Sequence, residues 1–484
     1  MEKPPYPLKQ ESAFEWSIPA SAKAGMRVPA KFISSKKLME AMEGRVFEQL
    51  VNVASLPGVV KHALVMPDTH SGYGFPIGAV VAFDADTGFI SPGAVGYDIN
   101  CGMRLAATNL SLKEVRPRIK ELMDVLYKKV PVGVGGKSAL SFSDKEFHSF
   151  LTAGVPAVIA KGFGWKKDVA CIESKGVLAG ADPKAVSSLA LQRGKQQLGT
   201  LGSGNHYLEI QHVAGIDDRK TAKAFGITGE GQIVVMFHCG SRGFGHQIAT
   251  DYLQLFEKVM PQYGIIVPER ELALAPFHSA EGQQYFKAMQ CAGNYAYVNR
   301  QIILHRVREA FSEVFGKEAE DLGMHLVYDV SHNLAKLEEH VVDGKKKTVL
   351  VHRKGATRSF PPQHKDLPSA YTSFGQPVII GGSMETGSYL LHGTEKAMQE
   401  TFGTTCHGSG RTMSRAQALR QFNGKALQES MQKKGIYVKT ASLKGLAEEA
   451  GGAYKNISDV VQAVHDFGIS KKVAALKPLG NIKG

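Results

Sequence analysis

The sequence has little cysteine and little tryptophan, five and two among 484 residues. The five cysteines (Cys101, Cys171, Cys239, Cys291 and Cys406) are odd in number and scattered. A disulfide framework is therefore excluded, and a reducing, cytoplasmic setting is expected. There is no C-x-x-C pair and no H-E-x-x-H, so the spacing carries no metal-finger signature. Long hydrophobic runs are also missing. A membrane span needs roughly 20 apolar residues, and Leu151–Ala160 reaches about half that, so no membrane association is expected. The segment Met1–Ala20 carries charges and prolines around no apolar centre, and no secretory signal is expected there. The 52 glycines follow no Gly-X-Y period, which excludes collagen. No internal repeat, heptad array or low-complexity tract is present.

What is present is an ordinary globular balance, with 43% hydrophobic and 21% charged residues. Lys and Arg exceed Asp and Glu by 58 to 45, a net charge of +13. That excess fits a partner that is a polyanion, or simply a basic soluble enzyme. Length alone would suggest about three domains.

Short β-like runs alternate with amphipathic helices. Leu38, Met42, Val46 and Leu50 fall at helical spacing, as do Val115, Ile119, Leu122 and Leu126. A long helix is predicted around Gln283–Phe315. Strands are predicted at Val59–Met66, Gly78–Phe83, Met103–Thr108, Gln232–Phe237, His325–Val330, Lys347–His352 and Pro377–Ile380. Asp343-Gly344 reads as a hairpin turn. Lys354–Gln376 reads as a long functional loop. Several strands run straight into polar, Gly-rich segments: GYDINCGMR, GSGNHYLEI, FHCGSRGFGH, VYDVSHN and CHGSGR. Strand-end loops on a rigid scaffold are where catalytic groups commonly sit.

Each candidate motif has a plain competitor. Pro131–Ser138 nearly matches a phosphate-binding P-loop, but Pro131 stands where the first glycine belongs. Gly202-x-Gly204 is no dinucleotide fingerprint, because Tyr207 occupies the third glycine position. Asp98 and Cys101 sit three apart in a tight loop, and His206, His238 and His332 each adjoin a predicted strand. Thiolate, carboxylate and imidazole together suit Zn, Fe, Co or Mn, and a single thiolate can bridge two ions. The competing reading is satisfied core histidines and a small buried Cys101. In Cys406–Arg411, glycines allow close approach of a phosphate and Arg411 and Arg415 can pair with its oxygens. His407 would be the nucleophile or acid/base, with Cys406 a packing residue. Gly381–Ser388 is a second backbone cradle or a simple hairpin loop. Arg193 and Arg242, beside glycines, suit phosphate positioning or a solvated face.

In combination these segments are recognisable. From His62–Gly78 onward the chain resembles the RtcB family of RNA ligases, which join a 3′-phosphate or 2′,3′-cyclic phosphate RNA end to a 5′-hydroxyl end. GYDINCG, LGSGNHYLEI, HCGSRGFGH, SHN, GGSM and CHGSGR stand in family order. The resemblance implies a mixed α/β fold, a central β-rich core surrounded by helices, forming one integrated domain over residues 1–484. It implies two Mn²⁺ ions bridged by Cys101, one completed by His206 and His238 and the other by Asp98 and His332. It implies GTP as substrate and His407 as the nucleophile that carries GMP. Nucleotide contacts are implied at Asn205, His206, Tyr207, Leu208 and Glu209, at His332 and Asn333, and at Gly381, Gly382, Ser383 and Met384. Further ones fall at Ser388, at His407, Gly408, Ser409 and Gly410, and at Lys483. Arg193, Arg242, Arg411 and Arg415 would contact RNA or triphosphate oxygens. Tyr207 and Leu208 sit where the family often has Phe and a small or apolar residue, a departure that should affect packing and not chemistry. The resemblance further implies an RNA substrate whose source stays open among tRNA halves, a spliced messenger and damaged RNA, with an archease-type activating protein as partner and a monomer. Two rival readings stay open at this point: a metal-dependent phosphohydrolase or cyclic phosphodiesterase without guanylylation, and an RNA-binding factor with a structural metal.

Overall fold

The computed structural model describes residues 5–484. Its core is two β-sheets that meet at the site. The larger has eight strands. Its order is His325–Ser331, Gly102–Ser111, Gln232–Cys239, Tyr207–Ile216, Ser470–Lys483, Ser388–Gly393 and Pro377–Gly381, with Tyr437–Thr440 pairing in parallel on Ser470–Lys483. The second has seven, in the order Lys9–Ser12, Glu15–Ile18, Ala30–Ile33, Ala63–His70, Ile77–Asp84, Lys345–Lys354 and Asn333–Val342. Only His332 separates the last strand of the second sheet from the first strand of the larger one.

The central strands read as unbroken apolar runs because both faces are covered. Gln232–Cys239 is buried at every position. The helix Ala280–Phe315 spans 36 residues and buries residues all round its middle, including Asn294, Asn299, Arg300 and Gln301. Ser279 caps it by accepting the Gly282 N–H, and Gly316 ends it in the left-handed conformation. One hydrophobic cluster runs from Ile18 to Ile482, so both ends of the described chain enter the same core.

The predicted elements stand, with informative differences. The periodic run Leu38–Leu50 is two helices, Lys36–Glu40 and Gly44–Ala54, because Glu43 is extended and Gly44 lowers helix propensity at the break. Val115–Leu126 is likewise interrupted, by a 3₁₀ turn that starts at Arg116-Pro117. Asp343 and Gly344 both have positive φ, 51° and 73°, as a two-residue hairpin turn requires. The predicted strand Val59–Met66 starts at Ala63 and runs on to His70, and its pairing slips between Val65 and His70. Pro67 lies within that slip and has no N–H to give a ladder. The predicted long loop Lys354–Gln376 contains a buried strand, Ala356–Arg358, paired with Thr404–Cys406. Its partner lies about 50 residues away, so no local pattern announces it.

Candidate active site

A cleft of about 620 Å³ opens where the strand-end loops converge. Its walls include Asn205, Tyr207, His238, Gly381–Met384, His407–Arg411, Arg415, Glu449, Tyr454 and Lys483. These residues span most of the chain. The near-P-loop does not line it. Val132 bridges to Gly202 and the Gly133 N–H donates to the Gly202 carbonyl, so that segment buttresses the His206 turn.

Four imidazoles stand in a row at the inner end. Ring centroids are 5.4 Å apart from His206 to His238, 5.3 Å from His238 to His332 and 5.2 Å from His332 to His407. Each Nδ1 already faces a fixed partner. His206 faces the Leu201 carbonyl at 3.0 Å, His238 the Asn205 carbonyl at 3.1 Å and His332 the Thr357 hydroxyl at 2.8 Å. The Nε2 atoms are thereby left to face inward, the arrangement that orients metal-binding histidines.

Cys101 is the centre of this group. Its Sγ lies 3.0 Å from His238 Nε2 and 3.5 Å from His206 Nε2. Asp98 Oδ2 lies 2.9 Å from His206 Nε2. The ligand atoms of Asp98, Cys101 and His206 fall within 4.8 Å of one another. Asp98 is therefore grouped with His206, not with His332 as the resemblance implied. The reason is local. Asp98 Oδ1 accepts the Ser241 N–H, and a Cβ on Gly240 would stand 2.3 Å from the carboxylate, so a glycine there lets Asp98 lie against the start of the helix Arg242–Val259.

The donors suit a cation. Burial and the neighbouring Asp98 push the Cys101 thiol up to about 12, so a positive ion is what would make it a thiolate. Burial and the adjacent imidazoles push His238 and His332 well down, which keeps both neutral. His332 Nε2 is buried without a partner in the protein. Asp98, Cys101 and His206 bring a carboxylate, a thiol and an imidazole close enough to hold a metal ion, a donor set that suits Zn, Fe, Co or Mn.

His407 follows the short strand Thr404–Cys406 and is held by a residue that carries no motif signature. Asp68 Oδ2 lies 2.7 Å from His407 Nδ1 and accepts the backbone N–H groups of His407 and Gly408 at 3.0 and 3.1 Å. Asp68 is fully buried. Burial raises its carboxyl, but the His407 charge and these donors outweigh that and hold it below the usual range. Gly410 makes the approach feasible, since a Cβ there would stand 1.8 Å from the Asp68 carbonyl. The one sequence clue to Asp68 was a charged residue inside the apolar run ALVMPDTH. Cys406 is a packing residue, fully buried with its thiol pushed well up.

Other assigned residues divide by depth. Leu208 points away into the hydrophobic core. Glu209 and Ser388 form a buried polar cluster with Gln211 and Asn481 and do not line the cleft wall. Asn333 donates to the Asp98 carbonyl and accepts the Gly355 N–H, so it ties two site loops together. Glu449, also unmarked in the sequence, faces Arg411 at 3.2 Å, Arg415 at 3.4 Å and Lys483 at 3.6 Å, and accepts the Tyr454 hydroxyl. Arg242 is the first residue of its helix, with φ of 55°, and donates from Nε to the Thr200 hydroxyl. A non-glycine residue in that conformation beside a metal corner is a strained, site-associated feature. Arg193 lies outside the cleft wall and donates to Gln247 at 2.7 Å.

The comparisons decide the family. The model described as "tRNA-splicing ligase RtcB" matches residues 49–484. The chain belongs to the RtcB family. It is 54% identical over 479 residues to the tRNA-splicing ligase RtcB of Thermococcus kodakarensis, covering 99% of both chains. It is 53% identical over 477 residues to that of Archaeoglobus fulgidus, again covering 99% of both. The Pyrobaculum aerophilum relative is 50% identical over 481 residues, covering 99% of each. No helix of the described residues is long and apolar enough to cross a membrane.

Two predictions arise within this RtcB site. Asp68→Asn keeps the shape but removes the charge that faces Nδ1. On the reading of His407 as nucleophile proposed below, its attack on a nucleotide should slow about 100-fold or more, because the imidazole loses both orientation and the partner for its positive charge. A labelling rate within about threefold of the parent, measured in single turnover, would refute that role.

The second concerns Glu209. Burial raises its carboxyl to about 7, against the hydrogen bonds from Gln211 and Asn481 and the Lys483 charge. Its folded pKa therefore lies above the unfolded value, so charging it costs the folded state. Stability should fall as pH rises from about 4.5 through 7, by about 3 kcal/mol from this group. Glu209→Gln should remove that fall. Urea denaturation at pH 5 and pH 8 checks it, and an identical pH dependence in parent and variant would contradict it.

Proposed function

We propose that this RtcB-family chain joins RNA 3′-phosphate or 2′,3′-cyclic phosphate ends to 5′-hydroxyl ends, using GTP and two Mn²⁺ ions. The observation that carries the reading is His407. Its Nδ1 faces the buried Asp68, its ring stands 5.2 Å from that of His332 at the end of the row of metal-suited donors, and Gly408–Gly410 give it an open backbone cradle. That is the arrangement of an activated nitrogen nucleophile aimed at a phosphoryl group.

Asp98, Cys101, His206, His238 and His332 would hold the ions, which when bound supply charge neutralisation at the phosphoryl oxygens. His407 Nε2 attacks the α-phosphorus of GTP. The new N–P bond forms as the bond to the bridging oxygen breaks, and pyrophosphate leaves with that electron pair. Asp68 holds the imidazole and balances its charge while the N–P bond forms. An oxygen of the RNA 3′-phosphate then attacks the same phosphorus, the N–P bond breaks, and the GMP-capped RNA end results. The 5′-hydroxyl attacks the capped phosphate, its proton is lost, GMP departs and the phosphodiester forms. Arg411, Arg415 and Lys483, gathered by Glu449, offer cations along the cleft for the phosphates. Cytoplasmic tRNA halves are the substrate proposed, and the +13 net charge accords with them.

The test is incubation with α-labelled GTP and Mn²⁺, then denaturing electrophoresis. An acid-labile labelled band, chased into RNA–ppG by RNA ending in a 3′-phosphate, is the expected result. Release of inorganic phosphate from that RNA with no labelled band would favour a phosphohydrolase instead.

A further inference from the structure

Three rings adjoin the metal-ligand corner on its outer side, and none of the assigned roles uses them. Tyr97 immediately precedes Asp98. His246 stacks on it, with centroids 4.8 Å apart and planes 26° from parallel. Tyr73 meets the same ring edge-on at 5.7 Å. His246 and Tyr73 are exposed, Tyr73 by 39%. Both ends of the ladder therefore reach solvent while its middle is anchored to the site. The turn that presents Tyr73 is pinned, because Lys354 Nζ donates to the Tyr73 and Phe75 carbonyls.

Charge is placed unevenly around the rings. Burial and the neighbouring Tyr73 raise the Tyr97 hydroxyl, and the Glu257 and Glu271 carboxylates add to that. On the other side, His246 lies one turn along the helix that Arg242 begins, and the neighbouring Gln247 holds Arg193. Arg242 stands four residues before His246 at the start of the same helix, so a nucleotide with its base on His246 can bring its phosphate toward Arg242. A 3′-phosphate is a dianion that must come to the metal corner, whereas a 5′-hydroxyl carries no charge for Arg242 to meet.

We propose that the Tyr73–Tyr97–His246 ladder is a stacking platform for the nucleobase at the 3′-phosphate end of the RNA, seated so that its phosphate reaches Arg242 beside Asp98. The proposal rests on the ligase reading for the identity of the RNA end. Aromatic stacking of this kind tolerates any base, as a ligase acting on varied ends requires.

The experiment uses the full-length, Mn²⁺-loaded protein without GTP and an oligoribonucleotide ending in a 3′-phosphate with 2-aminopurine as its last base. Binding should quench the fluorescence. His246→Ala should weaken that binding about tenfold, and His246→Trp should restore it. An abasic last nucleotide should cost the unsubstituted protein a similar factor, and cost His246→Ala little more. No quenching would overturn the platform, as would parent-like affinity of His246→Ala for the intact RNA, or binding of the abasic RNA by the unsubstituted protein as tightly as the intact RNA. Dependence on His246 that appears only with a 5′-hydroxyl strand carrying 2-aminopurine at its first base would also overturn it. Labelling by GTP is measured alongside. A protein that never labels overturns the ligase reading, while the binding result still decides the platform.

Discussion

Replacing His407 by Ala is expected to abolish the covalent guanylate and, with it, ligation of RNA ending in a 3′-phosphate. The expectation is a complete loss because neither Cys406 nor Ser409, the nucleophile-type side chains beside His407, can take its place. Cys406 is fully buried and its thiol is pushed well up by burial and by Asp68. Ser409 is also buried, and its hydroxyl has no adjacent base of the kind His407 has in Asp68. The variant separates two roles of the site. Sealing of RNA already capped with GMP requires attack by the 5′-hydroxyl and departure of GMP, with no N–P bond. His407→Ala given that capped RNA should therefore still join it. A labelled band surviving in the variant would refute His407 as nucleophile. Failure on capped RNA, in a protein whose melting temperature matches the parent, would show that His407 acts beyond the first step.

Cys101→Ala carries the second large effect. The sulfur lies between the two groups of donors, 3.5 Å from His206 Nε2 and 3.0 Å from His238 Nε2. Removing it leaves Asp98 with His206 on one side and His238 with His332 on the other, each short of a ligand. On the proposed reading, the Cys101 thiolate would supply negative charge to both ions. Bound Mn²⁺ should fall from two ions to at most one, read by metal analysis and by loss of the spin-coupled signal of a paired site. Labelling should disappear with it. Retention of both ions at the parent's affinity would refute the shared-sulfur role, whatever the activity.

The two effects also differ in stability. His407 is partly open to the cleft, so its truncation removes little packing. Cys101 is buried, but it is small, and an alanine leaves room for little more than a sulfur atom. Neither variant should unfold the chain, so each loss reports on chemistry.

By itself the sequence determined the chemical inventory. Gly-rich polar turns flanking apolar runs marked Asp98, Cys101, His206, His238, His332 and His407 as candidates, because such turns are recognisable locally, and the resemblance supplied their implied roles. The long helix and the Asp343-Gly344 turn were legible for the same reason, as periodicity and turn chemistry are properties of neighbouring residues. Tertiary structure alone decided how those parts meet. It grouped Asp98 with His206, since that pairing depends on Gly240 and Ser241 more than 100 residues away from Asp98. It brought Asp68 to His407 across 339 positions of chain and made Glu449 the hub of three cations. It turned part of a predicted loop into a strand by pairing Ala356–Arg358 with Thr404–Cys406. A lone buried carboxylate or a three-residue strand has no periodic signature. Each owes its place to partners the chain meets only on folding, when a charge must be paired and a backbone amide satisfied.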